Sequence, residues 1–303
     1  MLTLVVLTSF LSTSAAQAAG QPKYPPVLTV PVKRGTVVKD LTYCTNQVPL
    51  RLDLYYPTSG NAPWPAVLYV HGGGWVGGDK STTHIADEVE ALRAAGYIVT
   101  SVDYRLAPRY AFPAQIVDLK CSVRFLRAHA AELQLDPEHI GAWGTSAGGH
   151  LVSLLGLADE SAGWDVGEYK EQSSEVQAVV DMFGPTDLMH AMDEADGVKR
   201  MLILFGGVKP TWNMLASASP VTHVSPGDAP FLIIHGEEDA VITPQQSIRL
   251  YQRLTSSAVP ANLILVAHAG HGLAAVGGDP KPSHAEIIQS MIAFFDRYLK
   301  AKP

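Results

Sequence analysis

Charge is scarce in this chain. Asp, Glu, Lys and Arg make up 17% of its 303 residues, with acids in excess for a formal charge of −7. No Lys/Arg-rich run or basic stripe appears, so the electrostatic footprint of a nucleic-acid binder is missing. Beyond the first twenty residues no segment offers the roughly 18 uninterrupted apolar residues of a membrane-crossing helix. The 11 histidines fall outside HExxH or any other ligand spacing, which argues against a zinc site. The glycine clusters lack the Lys-Ser ending of a phosphate-binding loop. No repeat, low-complexity tract or internal linker divides the chain. What remains is a composition 47% hydrophobic with 26 Gly and 21 Pro, which fits one large domain with its own core and many short turns. No cofactor is expected, and neither nucleic acid nor a transmembrane anchor is expected as a partner.

Cysteine is nearly absent as well: only Cys44 and Cys121 occur. Their compartment matters. Leu2 to Leu11 is an apolar run, and the small-residue tract ending Ala16-Gln-Ala-Ala19 follows it. This pattern is that of a secretory signal over residues 1–19, although no Lys or Arg precedes the run. The chain is therefore expected to be secreted or periplasmic, the alternative being a frayed apolar N-terminus. In an oxidising compartment the two cysteines are a candidate disulfide; two buried free thiols are the alternative.

Residues 20–35 are proline-rich and read as an extended arm, leaving 36–303 as a single domain. Period-2 segments at Thr36–Tyr43 and Leu50–Tyr56 predict an antiparallel start to a sheet. Apolar runs at Ala66–Val70, Tyr97–Tyr104, His139–Trp143, Val176–Phe183, Phe231–Ile234 and Leu263–Val266 suit strands buried on both faces. Helical stretches alternate with them at His84–Ala95, Pro113–Ala130, Ala147–Ala158, Pro244–Ser256 and Ser283–Lys300. Strand–helix alternation predicts an α/β fold with a mostly parallel sheet flanked by helices. The less regular segments Asp159–Glu175 and Thr186–Asp228 read as cap-like insertions above the carboxyl edge of that sheet.

The sharpest motif is Gly144-Thr-Ser146-Ala-Gly148, placed where a strand meets a helix. A serine on so tight a turn is lifted towards solvent, and only small neighbours fit beside it. The following helix directs its amide ends at the same point. A second motif, His71-Gly-Gly73-Gly74-Trp75, follows the Ala66–Val70 strand. Acyl transfer needs amide donors aimed at the developing oxyanion, and Gly73, Gly74 and Ala147 can supply them. His71 reads as a structural brace. A serine also needs a base. The strand at Phe231–Ile234 ends in His235-Gly-Glu-Glu-Asp239, and the last strand in His268-Ala-Gly-His271-Gly. His271, between two glycines, is preferred to His268 as base; Asp239 is preferred to Glu237 and Glu238 as the acid that orients it. A neutral imidazole base predicts activity that falls in acid. Trp75, Phe112 and Trp212 are candidate pocket residues or packing residues. Asp53, Asp118 and Asp181 read as solvated or capping.

Taken in order, His71–Trp75, Asp103–Pro108, Gly144–Gly149, His235–Asp239 and Gly270–Gly272 make the chain resemble α/β-hydrolase serine esterases of the hormone-sensitive-lipase-like kind. The likeness is closer to the BD-FAE-like acetyl and feruloyl esterase branch and runs from about Tyr43 to Tyr298. The resemblance implies a cofactor-free carboxylic ester hydrolase with Ser146, Asp239 and His271 as triad and Gly73, Gly74 and Ala147 as oxyanion hole. It also implies acetyl, feruloyl or other short-chain esters, including carbohydrate-linked ones, as substrates. A serine peptidase of the same fold, or a ligand-binding protein on a hydrolase scaffold, is the alternative; the first usually carries a propeller domain, and the second typically lacks a triad member.

Overall fold

The computed structural model describes residues 24–29, 31–191 and 196–300; the leader expected at 1–19 lies outside them. Eight strands form one sheet: β1 (Val37–Asn46), β2 (Val48–Tyr55), β3 (Trp64–Val70), β4 (Ile98–Val102), β5 (Leu135–Thr145), β6 (Ala178–Met182), β7 (Phe231–Gly236) and β8 (Ala261–Val266). Their order is β1-β2-β4-β3-β5-β6-β7-β8. The β1–β2 and β2–β4 pairs are antiparallel and all others parallel, so the expected antiparallel start and parallel body are both present.

Helices close both faces. The longer ones are α1 (Ala86–Ala94) and α2 (Ala114–Ala128), with the short α3 (Ala130–Leu133) before β5 and α4 (Ala147–Leu157) after it. Among the described residues four short helices follow β6: α5 (Leu188–Ala191), α6 (Gly197–Leu204), α7 (Trp212–Ser217) and α8 (Pro220–His223). The set ends with α9 (Gln245–Ser256) and α10 (His284–Leu299). In β3, Ala66, Leu68 and Val70 join one core with residues of α2, α4 and α9. Val67 and Tyr69 join a second core with α1 and α10. This two-sided burial is why the strands read as continuous apolar runs instead of alternating ones.

β5 is longer than the expected His139–Trp143. Leu135 pairs with Trp64 across a register shift that absorbs Asp136-Pro-Glu138, residues that look like a turn in sequence. The first of the two insertions sits elsewhere than expected. α4 leads back from the carboxyl end of β5, so Asp159–Glu175 starts at the amino edge and ends there before β6. It packs along α2, where Asp165 pairs with Lys120 at 2.8 Å and Arg124 at 2.9 Å. The described part of 186–228 does sit at the carboxyl edge: Thr186 bonds Gln246 just beyond β7, and Leu204 O accepts from Phe112 N–H in the loop after β4, while α8 packs down against α4 and α9. Asp53, Asp118 and Asp181, expected to be solvated or capping, are all buried. Each has partners that the sequence does not reveal: Lys39 and Lys80 for Asp53, Arg105 for Asp118, and Ser153 for Asp181.

Cys44 on β1 and Cys121 on α2 form a disulfide, with Cα atoms 6.5 Å apart and a sequence separation of 77.

Candidate active site

Because β4 and β5 lie on opposite sides of β3, the connections leaving β3 and β5 diverge and open a crevice at the carboxyl ends of the strands. The glycine loop after β3 and the serine turn after β5 meet there. Ser146 adopts φ 52° and ψ −118°, an unfavourable conformation for a residue with a side chain. It is held by its N–H donating to Met182 O at 2.9 Å and by His150 N–H donating to Ser146 O at 3.0 Å. The flanking glycines are required by contact: a Cβ on Gly144 would lie 2.3 Å from Gly148 O, and one on Gly148 would lie 2.0 Å from Val70 O.

His271 Nε2 lies 3.1 Å from Ser146 Oγ, and His271 Nδ1 lies 2.7 Å from Asp239 Oδ2. The serine, imidazole and carboxylate thus form one hydrogen-bonded chain. The other oxygen of Asp239 accepts from the N–H groups of Val241 at 2.8 Å and Ile242 at 2.9 Å. Burial pushes the Asp239 carboxyl up, but hydrogen bonds from His235, His271 and Ile242 outweigh it and hold the group well below the usual carboxylate range. Asp239 is therefore an anion placed to fix the Nδ1–H tautomer and to stabilise an imidazolium.

The two loops carrying these residues are stitched together. Glu238 N–H donates to Ala269 O, and Glu238 Oε2 accepts from Ala269 N–H, both at 2.9 Å. Glu238 is thus structural. His268, the rejected base, is half-exposed and lies 3.9 Å from Glu238. His235 has a role that sequence reasoning missed. Its Nδ1 accepts from Ser247 Oγ at 2.7 Å, while Nε2 faces Ile242 O at 2.9 Å and Asp239 Oδ2 at 3.3 Å. Its spacing four residues before Asp239 was the available signal.

Across the crevice, Gly73 and Gly74 have φ of 109° and 60°, open to glycine but strained for other residues. Among the described residues, the N–H groups of Gly73, Gly74 and Ala147 donate to no protein acceptor. His71 braces this loop as expected: it stacks on Tyr104 at 4.3 Å, its Nδ1 lies 2.7 Å from Gly72 O, and burial lowers its pKa.

A cleft of about 840 Å³ adjoins the serine, bounded by Gly72, Gly73, Thr145, Phe183, Gly272 and Leu273. The three aromatic residues considered for a pocket do not line it. Trp75 is buried, its Nε1 donating to His150 Nδ1 at 3.2 Å, and His150 Nε2–H donates to Ala218 O at 2.8 Å. Burial pushes the His150 pKa down to about 4, so this neutral ring clamps the glycine loop to the body of the fold. Phe112 packs on Trp164 and Phe205, and Trp212 is exposed on α7. An aromatic residue beside a motif fills whichever void lies nearest, and for Trp75 that void is in the core. Among the described residues no three His, Cys, Asp or Glu side chains converge as metal ligands.

The sheet order, the serine turn at the end of β5 and the acid and histidine loops after β7 and β8 define the α/β-hydrolase fold. Within that fold the chain belongs to the BD-FAE family, whose family model matches residues 52–254. It is 33% identical over 193 residues to the probable carboxylic ester hydrolase LipM of Mycobacterium tuberculosis, covering 60% of this chain and 43% of LipM. It is 30% identical over 222 residues to the esterase LipC of the same organism, covering 71% of this chain and 55% of LipC. The chain thus spans about half the length of the curated relatives it matches. A truncated carbohydrate esterase from gut microbiota superposes with a TM-score of 0.76 at 27% identity, covering 88% of this chain and 98% of that one. The Thermogutta terrifontis esterase Est2 in its propionate-bound form shares the fold, with a TM-score of 0.71 at 23% identity over 89% of this chain and 97% of that one.

Proposed function

We propose that this protein is a carboxylic ester hydrolase working through an acyl-enzyme on Ser146. The observation that carries the reading is the continuous hydrogen-bonded chain Ser146–His271–Asp239, at 3.1 and 2.7 Å. In this scheme Ser146 Oγ attacks the ester carbonyl while His271 Nε2 takes its proton. The tetrahedral oxyanion is received by the amides of Gly73, Gly74 and Ala147. His271 then returns the proton to the departing alcohol, and a water activated by the same imidazole releases the acid. Family membership and the esterase relatives support the reaction class. The gut carbohydrate esterase supports an ester carried on carbohydrate; within that class, acetyl, feruloyl and other short-chain esters are the acyl groups proposed. Export to the periplasm or medium is part of the reading; the apolar leader and the disulfide support it.

The test is turnover of p-nitrophenyl acetate and methyl ferulate by the wild type and Ser146→Ala side by side. The wild type is expected to hydrolyse at least one, and the variant to lose about a thousandfold or more in kcat/KM. A variant as active as the wild type would remove Ser146 from the mechanism. Inactivity of both proteins on both esters would favour the ligand-binding scaffold.

A further inference from the structure

The cleft beside Ser146 is much larger than an acetyl group needs, and its charge is one-sided. Its apolar floor includes Ile85, Met182 and Ile287, and its walls carry the carboxylates of Asp79, Glu88 and Asp279. Among the described residues no lysine or arginine lines it. Lys80, next in the chain to Asp79, turns away: its Nζ lies 2.9 Å from Asp40 and 3.1 Å from Asp53. Lys281, beside Pro280, is not among the lining residues. The histidines of the cleft are engaged by neighbours. His84 bonds the Tyr69 hydroxyl at 2.9 Å, and His284 bonds Glu88 at 2.8 Å. Two helix N-termini also open here, and by themselves they would attract anions. Both are answered locally: α1 carries Asp87 and Glu88 in its first turn, and α10 closes with a Ser283–Glu286 capping box.

Resting on the esterase reading above, we propose that this cleft receives the alcohol half of the ester and acts as a charge filter, admitting uncharged alcohols and rejecting anionic ones. The alcohol side follows from proton delivery. The leaving oxygen must lie within reach of His271 Nε2, and the adjoining wall is made by Gly272 and Leu273, next in the chain to that histidine.

Two esters of nearly the same shape and leaving-group character test this: 4-acetoxybenzamide, uncharged, and 4-acetoxybenzoate, anionic on the alcohol half. The wild type is expected to favour the benzamide by about tenfold in kcat/KM, with the ratio shrinking in about 0.5 M salt. In Asp79→Asn/Asp279→Asn the ratio is expected to fall to about twofold; using a ratio cancels any general loss of activity. Equal turnover of the two esters by the wild type overturns the filter while leaving the esterase reading intact. A ratio that the double variant leaves unchanged overturns the assignment to these carboxylates. Failure to hydrolyse even the benzamide brings down the esterase reading, and the filter with it.

Discussion

Asp181 illustrates what a single side chain does in this fold. It lies on β6 behind the serine turn, wholly buried, accepting from Ser153 Oγ at 3.0 Å and Gly184 N–H at 3.0 Å. Burial raises its pKa from 3.8 to about 6, only partly offset by those hydrogen bonds. A carboxyl with a higher pKa folded than unfolded binds protons better in the folded state, so its ionisation subtracts stability as pH rises from about 4 through about 6. Asp181→Asn, which keeps an acceptor for Gly184 and a partner for Ser153, is expected to stabilise the protein by about 1–3 kcal/mol near pH 8. That gain should vanish near pH 4, as thermal midpoints across the range would reveal; an equal gain at both ends would exclude ionisation as its cause. The hydrogen-bonded grouping of Ser146, His271 and Asp239 was legible in the sequence because its members occupy strand ends with glycines around them. Asp181, His150 and His235 were not, because the partners that define their roles come from distant strands and helices.

At the scale of elements, the most constrained contact is the crossing of α4 against the end of β3. Gly148 fits only because it has no Cβ; Gly74, in the facing loop, has open space where a Cβ would stand but a φ of 60°. The two glycines therefore separate steric collision from backbone strain. Gly74→Ala is expected to cost about 1 kcal/mol, the usual penalty for a left-handed L-residue. Gly148→Ala must push α4 off β3 and is expected to cost several times more, either as loss of soluble protein or as a large fall in thermal midpoint. Equal costs would mean that the turn relaxes more freely than its packing implies. Strand and helix identities were legible for the same reason that this crossing is tight: buried parallel strands need apolar runs, and crossover helices need amphipathic ones. The short helices α5–α8 were not, since each is little more than a turn or two and takes its shape from what it packs against.

For the molecule as a whole, the disulfide joins the antiparallel margin of the sheet to the helix layer. Among the described residues β1 is an edge strand paired with β2 alone, while α2 is packed into the larger core. Linking Cys44 to Cys121 ties an edge of the sheet to the helix layer packed on it. With the cysteines separated by 77 positions in sequence, the chain-entropy account gives a stabilisation of about 4 kcal/mol as an upper bound. Cys44→Ser and Cys121→Ser should each lower the unfolding free energy by about 2–4 kcal/mol, and the double variant by little more than either one, since both remove the same bond. Reductant should destabilise the wild type to a similar extent and leave the double variant unmoved. If reductant has no effect on the wild type, either the bond is absent from the folded protein in solution or its loop is already ordered when unfolded, and a thiol count on the denatured chain separates the two. A bond present and effective would also support an oxidising compartment, since the gain is realised only where thiols are allowed to pair.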